Sequence, residues 1–170
     1  NLVFGGGTLR YTGATASSDR AYTLTSSTTS TLDVATALAN LTLSGASAAG
    51  SGALNKVGLG ILTLSGANTY TGGTTINDGT LALGANDVLP NAGVVDVSGG
   101  TLAMGAYSNT VGAVTLSSGA ITGTTGVLTG ASYAVTNSAD TTTISAVLAG
   151  TSGLTKTGAG ALVLSGHNTY

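Results

Sequence analysis

The stretch LNKVGLGILTLSGANTY (54–70) returns as LTKTGAGALVLSGHNTY (154–170), and eleven of the seventeen positions are identical. From residue 54 to residue 64 the identical residues fall on every second position, while the residues between them differ. A period of two is typical of extended chain with one buried side and one free side. The stretch therefore predicts β-strand.

A shorter period runs through the whole chain, because apolar residues spaced i, i+2 recur in two series with steps of roughly 20 residues. The first series is Leu2/Phe4, Tyr22/Leu24, Leu41/Leu43, Leu62/Leu64, Leu81/Leu83, Leu102/Met104, Ile121, Ile144/Ala146 and Leu162/Leu164. The second series is Leu9/Tyr11, Leu32/Val34, Leu54, Ile76, Val95/Val97, Val114/Leu116, Tyr133/Val135 and Leu154. Two interleaved series with one step indicate a coil that supplies one strand to each of two or three faces.

We therefore predict an all-β fold, a β-solenoid of about eight coils with roughly 20 residues each. Parallel strands about 4.8 Å apart would give a rod roughly 40 Å long. Residues 1–170 form one continuous unit in this interpretation. The chain starts without Met and stops inside the repeated phrase, so we expect an uncapped fragment of a longer solenoid.

Two other folds were weighed against the solenoid. The segment LDVATALANL (32–41) could be read as a helix, although its apolar residues also fit the strand series. A β-sandwich or an antiparallel barrel would not explain why matched text such as GTLAL (79–83) and GTLAM (100–104) recurs in register.

Composition narrows the class of partner. Of the 170 residues, 42% are hydrophobic and 6% are charged, which argues for an ordered chain rather than a flexible linker. No apolar run reaches the length of about 18 residues that a membrane helix needs, so we do not expect this segment to span a bilayer.

The four Lys and Arg residues do not cluster, which argues against a nucleic-acid partner. The absence of Cys excludes disulfides and thiolate sites.

The acidic residues are the first candidates for chemistry, because β-helix enzymes that cleave polysaccharides need convergent carboxylates. Asp33 and Asp96 lie between inward apolar neighbours, so we expect both to point outward, about three coils apart. Asp78 and Asp87 lie in turn text, where Asp side chains bond nearby backbone amides. His167 replaces an Ala of the first copy and is expected to be an exposed turn residue. We expect no catalytic, cofactor or metal site, and no enzyme.

Three polar residues recur in both copies of the repeated phrase. Lys56 and Lys156 are expected to pack their stems on the coil surface, where their charge would keep strands from associating laterally. The Asn of each NTY triplet (68–70 and 168–170) is expected to bond turn backbone, and the Tyr is expected to cover a core edge.

Three stretches resemble the passenger-associated transport repeat of autotransporter passenger domains. They are ALNKVGLGILTLSGANTYTGGTTINDGTLALG (53–84), GLTKTGAGALVLSGHNTY (153–170) and, more loosely, GGGTLRYTG (5–13). The resemblance implies a right-handed parallel β-helix that is secreted by a Gram-negative bacterium as part of a longer polypeptide, beside a C-terminal barrel. It also implies that folding outside the cell helps to drive export.

The functional hypothesis is a structural or adhesive segment of a passenger at the cell surface, either tethered through the outer membrane or released. Its partners would be the neighbouring coils of its parent chain and, beyond them, a host surface, glycans or identical passengers on other cells. One alternative is a self-assembling extracellular filament, in which copies stack end to end because an uncapped solenoid exposes strand edges. The other is a β-helix enzyme that degrades polysaccharides.

Overall fold

The computed structural model describes all residues from 1 to 170, which form seventeen β-strands and no helix. The strands are β1 (Leu2–Phe4), β2 (Gly7–Tyr11), β3 (Ala16–Ser18), β4 (Tyr22–Leu24), β5 (Thr29–Val34), β6 (Asn40–Leu43), β7 (Ala53–Val57), β8 (Ile61–Leu64), β9 (Thr74–Ile76), β10 (Thr80–Leu83), β11 (Val95–Gly105), β12 (Asn109–Gly123), β13 (Val127–Val135), β14 (Thr142–Ile144), β15 (Val147–Ala149), β16 (Leu154–Lys156) and β17 (Leu162–Leu164). The structure has no helix with the length and hydrophobicity of a membrane span.

Every strand pairing is parallel, and the strands stack in three columns that form three faces of a rod. Face 1 contains β2, β5, β7, β9, the start of β11, the middle of β12, the end of β13 and β16. Face 2 contains β3, β6, β8, β10, the ends of β11 and β12, β14 and β17. Face 3 contains β1, β4, the starts of β12 and β13, and β15, with single bridges elsewhere.

The chain passes from face 1 to face 2 to face 3 in each turn, so the fold is a parallel β-solenoid of about eight coils. We number the coils by their face 1 strands, from β2 in coil 1 to β16 in coil 8. At a strand spacing of about 4.8 Å, the rod is roughly 38 Å long. The predicted solenoid is confirmed.

The interior is a single cluster of 30 buried hydrophobic residues that runs along the rod. It arises because alternate residues of each strand point inward, as the buried–intermediate–buried pattern of β8 and β10 shows. The rows are in register, with Leu62 of coil 3 paired to Leu81 and Leu81 paired to Leu102. The matched GTLAL and GTLAM texts therefore lie directly above one another, as predicted.

Two expectations need comment. The segment 32–41 is not helical, because β5 ends at Val34, a turn follows, and β6 begins at Asn40. The first apolar series mixes two faces, since Leu2/Phe4 and Tyr22/Leu24 lie on face 3 whereas its later members from Leu41 to Leu164 lie mainly on face 2. Face 3 was not resolved by the sequence pattern because several of its inward positions are polar.

Candidate functional site: two polar corners built by the repeat

The first corner lies between faces 1 and 2 of coil 3, where Lys56 points into the core. Lys56 is fully buried and is stacked between Leu32 of coil 2 and Ile76 of coil 4. Its Nζ donates hydrogen bonds to the carbonyls of Val57 at 2.8 Å, Gly58 at 2.7 Å and, in coil 4, Asp78 at 3.2 Å. The expectation that this lysine packs on the surface is wrong.

The ammonium of Lys56 is tolerated inside because the corner supplies acceptors. Gly58 and Asp78 lie outside the strands, and no backbone N–H donates to either carbonyl, so Lys56 is their only donor in the structure. Burial lowers the pKa of Lys56 to about 8, while the charges of Asp33 and Asp78 act in the opposite direction. The lysine therefore acts as a buried cation that joins the corners of two successive coils.

Gly58 gives this corner its shape. Its φ of 75° lies in the left-handed region, and a Cβ there would lie 2.6 Å from the carbonyl oxygen of Val34 in the coil below. Gly158 has a φ of 76°, and a Cβ there would meet the backbone of Asn137. The Lys-x-Gly sequence thus provides both the ammonium group and the tight turn. The ammonium bonds the carbonyls of that turn.

The second corner lies on face 3 and is organised by Asn68, which is 5% exposed. Its Oδ1 accepts hydrogen bonds from the Tyr22 hydroxyl at 2.8 Å and from the Ser47 N–H at 2.8 Å. Its Nδ2 donates to the carbonyls of Gly66 at 3.0 Å and Val88 at 2.8 Å. One amide therefore connects coils 1, 2, 3 and 4, and the predicted turn-bonding role is confirmed.

The tyrosine of the triplet closes this corner. Tyr70 is fully buried, and its hydroxyl lies 2.7 Å from Oγ1 of Thr74. Burial raises the pKa values of both Tyr70 and Tyr22, so each hydroxyl stays protonated and can serve as a donor. The expectation that Tyr70 covers the core is confirmed.

A second asparagine, in coil 5, also bonds the backbone of a neighbouring coil, although the repeated text did not indicate it. Oδ1 of Asn109 accepts a hydrogen bond from the Leu89 N–H at 2.9 Å, and its Nδ2 donates to the Leu89 carbonyl at 3.1 Å. Asn109 precedes a Thr, as Asn68 does, but the Leu-Ser-Gly text that would have marked it is absent.

The residues examined for chemistry are dispersed. Asp33 is outward and forms an ion pair with Arg10 at 3.3 Å. Asp96 is outward on face 1 in coil 5, and partial burial raises the pKa of its carboxyl. The carboxylates of Asp78 and Asp87 make no hydrogen bond, so the expectation that they bond turn amides is wrong. No three His, Cys, Asp or Glu side chains lie close enough together to hold a metal ion.

His167 is exposed in coil 8, as expected for a turn residue. The Asp87 backbone takes a φ of 51°, a left-handed conformation that Asp tolerates better than most residues. Asp87 is exposed to solvent.

The stretch of sequence that forms both corners matches a known family of repeats. The family model described as the passenger-associated-transport-repeat matches residues 54–83 and 154–170. No curated protein and no solved structure matches the chain. The repeat and the β-solenoid together fit a segment of an autotransporter passenger, a class of polypeptide that is secreted across the outer membrane of Gram-negative bacteria. The chain therefore contains the passenger-associated-transport-repeat at two places, as its sequence had predicted.

Proposed function

We propose that this chain is a length of rod in an autotransporter passenger displayed outside the cell, where it serves as a stalk or as an adhesive surface and performs no catalysis. The main support is the structural role of the residues that the two copies share. Lys56 and Asn68 both bond into neighbouring coils and leave no polar group for a ligand. The repeat is thus a device for joining coils.

The spacing of the two copies supports a role in building a long rod. Lys56 and Lys156 occupy the same inward row of face 1, since register connects coil 3 to coil 8 through Ile76, Val97 and Val135. The repeat therefore recurs after five coils without loss of phase. Because each coil gains its interface from the previous one, such a rod can grow one coil at a time as it leaves the cell.

The surface of face 2 supports a role in contact with other surfaces. Its outward positions carry Thr42, Thr63, Ala82, Ala103 and Thr122, and none of the ten charged residues lies in its strands. Such a face is broad and lacks a pocket, so adhesion would use a wide area with many weak contacts rather than one site.

The test of the rod is a pair of deletions in the full-length polypeptide that carries this segment. Removing residues 55–154 joins Leu54 to Thr155 in the same register and shortens the rod by five coils, or about 24 Å. Removing residues 55–144 takes out a similar length but joins Leu54 to Ser145 on another face. We expect surface display to survive the first deletion and to fall sharply with the second. Equal display of the two variants would contradict the proposal.

Cells that display the in-register deletion also separate the two roles. If they adhere and aggregate less than cells with the complete rod, these coils are adhesive; if adherence is unchanged, they are a stalk. The absence of catalysis is tested by incubating the 170-residue chain with a panel of polysaccharides. Released sugar would show that the non-enzymatic part of the proposal is wrong.

A further inference from the structure

Two neighbouring clefts on one side of the rod are not explained by the joining of coils. The first has a volume of about 380 Å³ and lies between the 67–71 segment of coil 3 and the 87–93 segment of coil 4. The second has a volume of about 330 Å³ and continues towards Thr151 of coil 7. Asn91 lines both clefts, whose linings together extend from coil 3 to coil 7, and we call the pair of clefts the groove. Both clefts are open to solvent, so a ligand would lie along the surface of the rod rather than inside an enclosed pocket.

The wall of the first cleft is rigid because it is held from both sides. The Asn68 amide bonds Val88 from coil 3, and the Asn109 amide bonds Leu89 from coil 5. Val88, Leu89 and Pro90 are all buried. The 87–93 segment is therefore a fixed ledge, and a ligand would not have to order it.

The groove presents free hydrogen-bonding groups. The side chains of Asp87, Asn91, Thr110, Thr129 and Thr151 make no hydrogen bond within the protein. Thr110 and Thr129 are register partners, so their hydroxyls are separated by about one strand spacing of 4.8 Å. Exposed alanines lie between these groups, Ala67 and Ala92 in the first cleft and Ala131 in the second, above the buried Pro90 and Val111.

From this arrangement we propose that the groove binds a linear, neutral oligosaccharide that runs parallel to the rod. Spaced hydroxyls, an amide and a carboxylate match the hydroxyl groups of successive sugar units, and the apolar surface between them matches the C–H faces of the rings. Asp87 is the only charged residue among those that line the two clefts. Its negative charge, with no Lys or Arg beside it, disfavours sulfated and uronic-acid glycans.

A peptide fits the groove less well. Extended peptides gain affinity by adding a strand alongside a free sheet edge, whereas the lining of the groove crosses successive coils, and β13 within it is paired with both β12 and β15. The groove also lacks a charged cluster or a deep apolar pocket that would select peptide side chains.

The test is an NMR titration of the ¹⁵N-labelled 170-residue chain with neutral glucan and N-acetylated amino-sugar tetrasaccharides and with a heparin tetrasaccharide. We expect a neutral tetrasaccharide to shift the amides of Thr69, Asn91 and Thr129 together, and heparin to leave them unmoved. Asn91→Ala and Asp87→Asn should each weaken binding about tenfold, the effect of losing one good hydrogen bond. Asp96→Asn, which removes a charge from face 1, should leave binding unchanged.

Three results would overturn the inference. They are the absence of chemical-shift changes with every neutral sugar at 10 mM, tighter binding of heparin than of neutral sugars, and chemical-shift changes that map to face 1 or face 2 instead of the groove on face 3. Circular dichroism of each variant checks that its fold is retained, so that a loss of binding is assigned to the groove. None of these outcomes depends on whether the rod is a stalk or an adhesive surface.

Discussion

The two copies of the repeat have nearly the same text but different surroundings. The first copy lies inside the rod, where Lys56 is fully buried and Asn68 makes four hydrogen bonds. The second copy lies in coil 8, where Lys156 is only partly buried and Asn168 makes a single side-chain hydrogen bond, with the Leu148 N–H. The difference shows that the bonds of the motif depend on its neighbours, because Asn68 bonds Val88 in the following coil and the Tyr22 hydroxyl two coils before it, and Asn168 has neither bond.

The largest contrast is expected at the asparagine. Asn68→Ala leaves four buried polar partners without the amide, so we expect a loss of about 3–5 kcal/mol in the free energy of unfolding. Asn168→Ala removes only the bond to Leu148, and we expect a loss of about 1 kcal/mol. Urea denaturation followed by circular dichroism measures both. Equal losses would mean that the asparagine does not connect coils in the way described.

The corner glycines of the two copies should show no such contrast, because a Cβ added at either one would contact the backbone of the preceding coil. Gly58→Ala and Gly158→Ala each combine a positive φ with a clash against neighbouring backbone, so we expect both to cost about 2–3 kcal/mol. The control is Gly105→Ala, which has a φ of 57° but open space around the added Cβ. It should cost only about 1 kcal/mol. A Gly58→Ala loss no greater than that of the control would argue against the close approach of the coils.

The lysines should show a smaller contrast in the same direction as the asparagines. Lys56→Met leaves the Gly58 and Asp78 carbonyls without their only donor, which the gain from burying an apolar chain partly offsets. We expect a net loss of about 1–2 kcal/mol. Lys156→Met should change stability by less than about 0.5 kcal/mol, because Lys156 is partly exposed and its bond to coil 7 is 3.5 Å long. A greater loss at residue 156 than at residue 56 would contradict the role of Lys56 as a buried cation that joins two coils.

The pH dependence of stability tests the same buried groups through their protonation. The pKa of Lys56 in the folded chain is about 8, below its ordinary value of 10.5, so the unfolded chain binds the additional proton between these values. Stability should therefore rise as the pH increases above about 8. Burial raises the pKa values of Tyr22, Tyr70 and Tyr133, so stability should fall again once the pH exceeds about 10, the ordinary pKa of tyrosine.

Urea midpoints at pH 7, 9 and 11 measure this dependence. Lys56→Met should remove the rise between pH 7 and pH 9 and keep the fall at pH 11. A rise that persists in Lys56→Met would show that another group causes it.

How much the sequence could predict varied from face to face. Face 1 was predicted apart from Lys56, because its other inward positions, such as Leu32, Val97 and Leu116, are mostly apolar and alternate cleanly. Face 3 was not separated from face 2, because Ser47 and Asn68 occupy inward positions that hydropathy assigns to the surface. Alternation reports burial only where the buried side chains are apolar.

The lysine was misplaced for a related reason. The i, i+2 pattern placed Lys56 in the same phase as Leu54 and Leu62, which are inward, but its charge favoured a surface position. Three backbone carbonyls converge at one corner and stabilise the buried charge. The amino-acid sequence of a turn does not show that its carbonyls will converge in this way. The groove beside Asn91 was missed because its lining comes from five different coils.

The central claim is that the chain is a rod of stacked coils in fixed register, and spin-label distances test it most directly. Thr31, Thr115 and Thr155 lie in one outward row of face 1, in coils 2, 6 and 8. Since the chain has no Cys, each can be labelled through an introduced cysteine. At about 4.8 Å per coil, the backbone separations should be about 19 Å for 31–115 and about 29 Å for 31–155. Distances that do not grow with the number of coils would contradict the account.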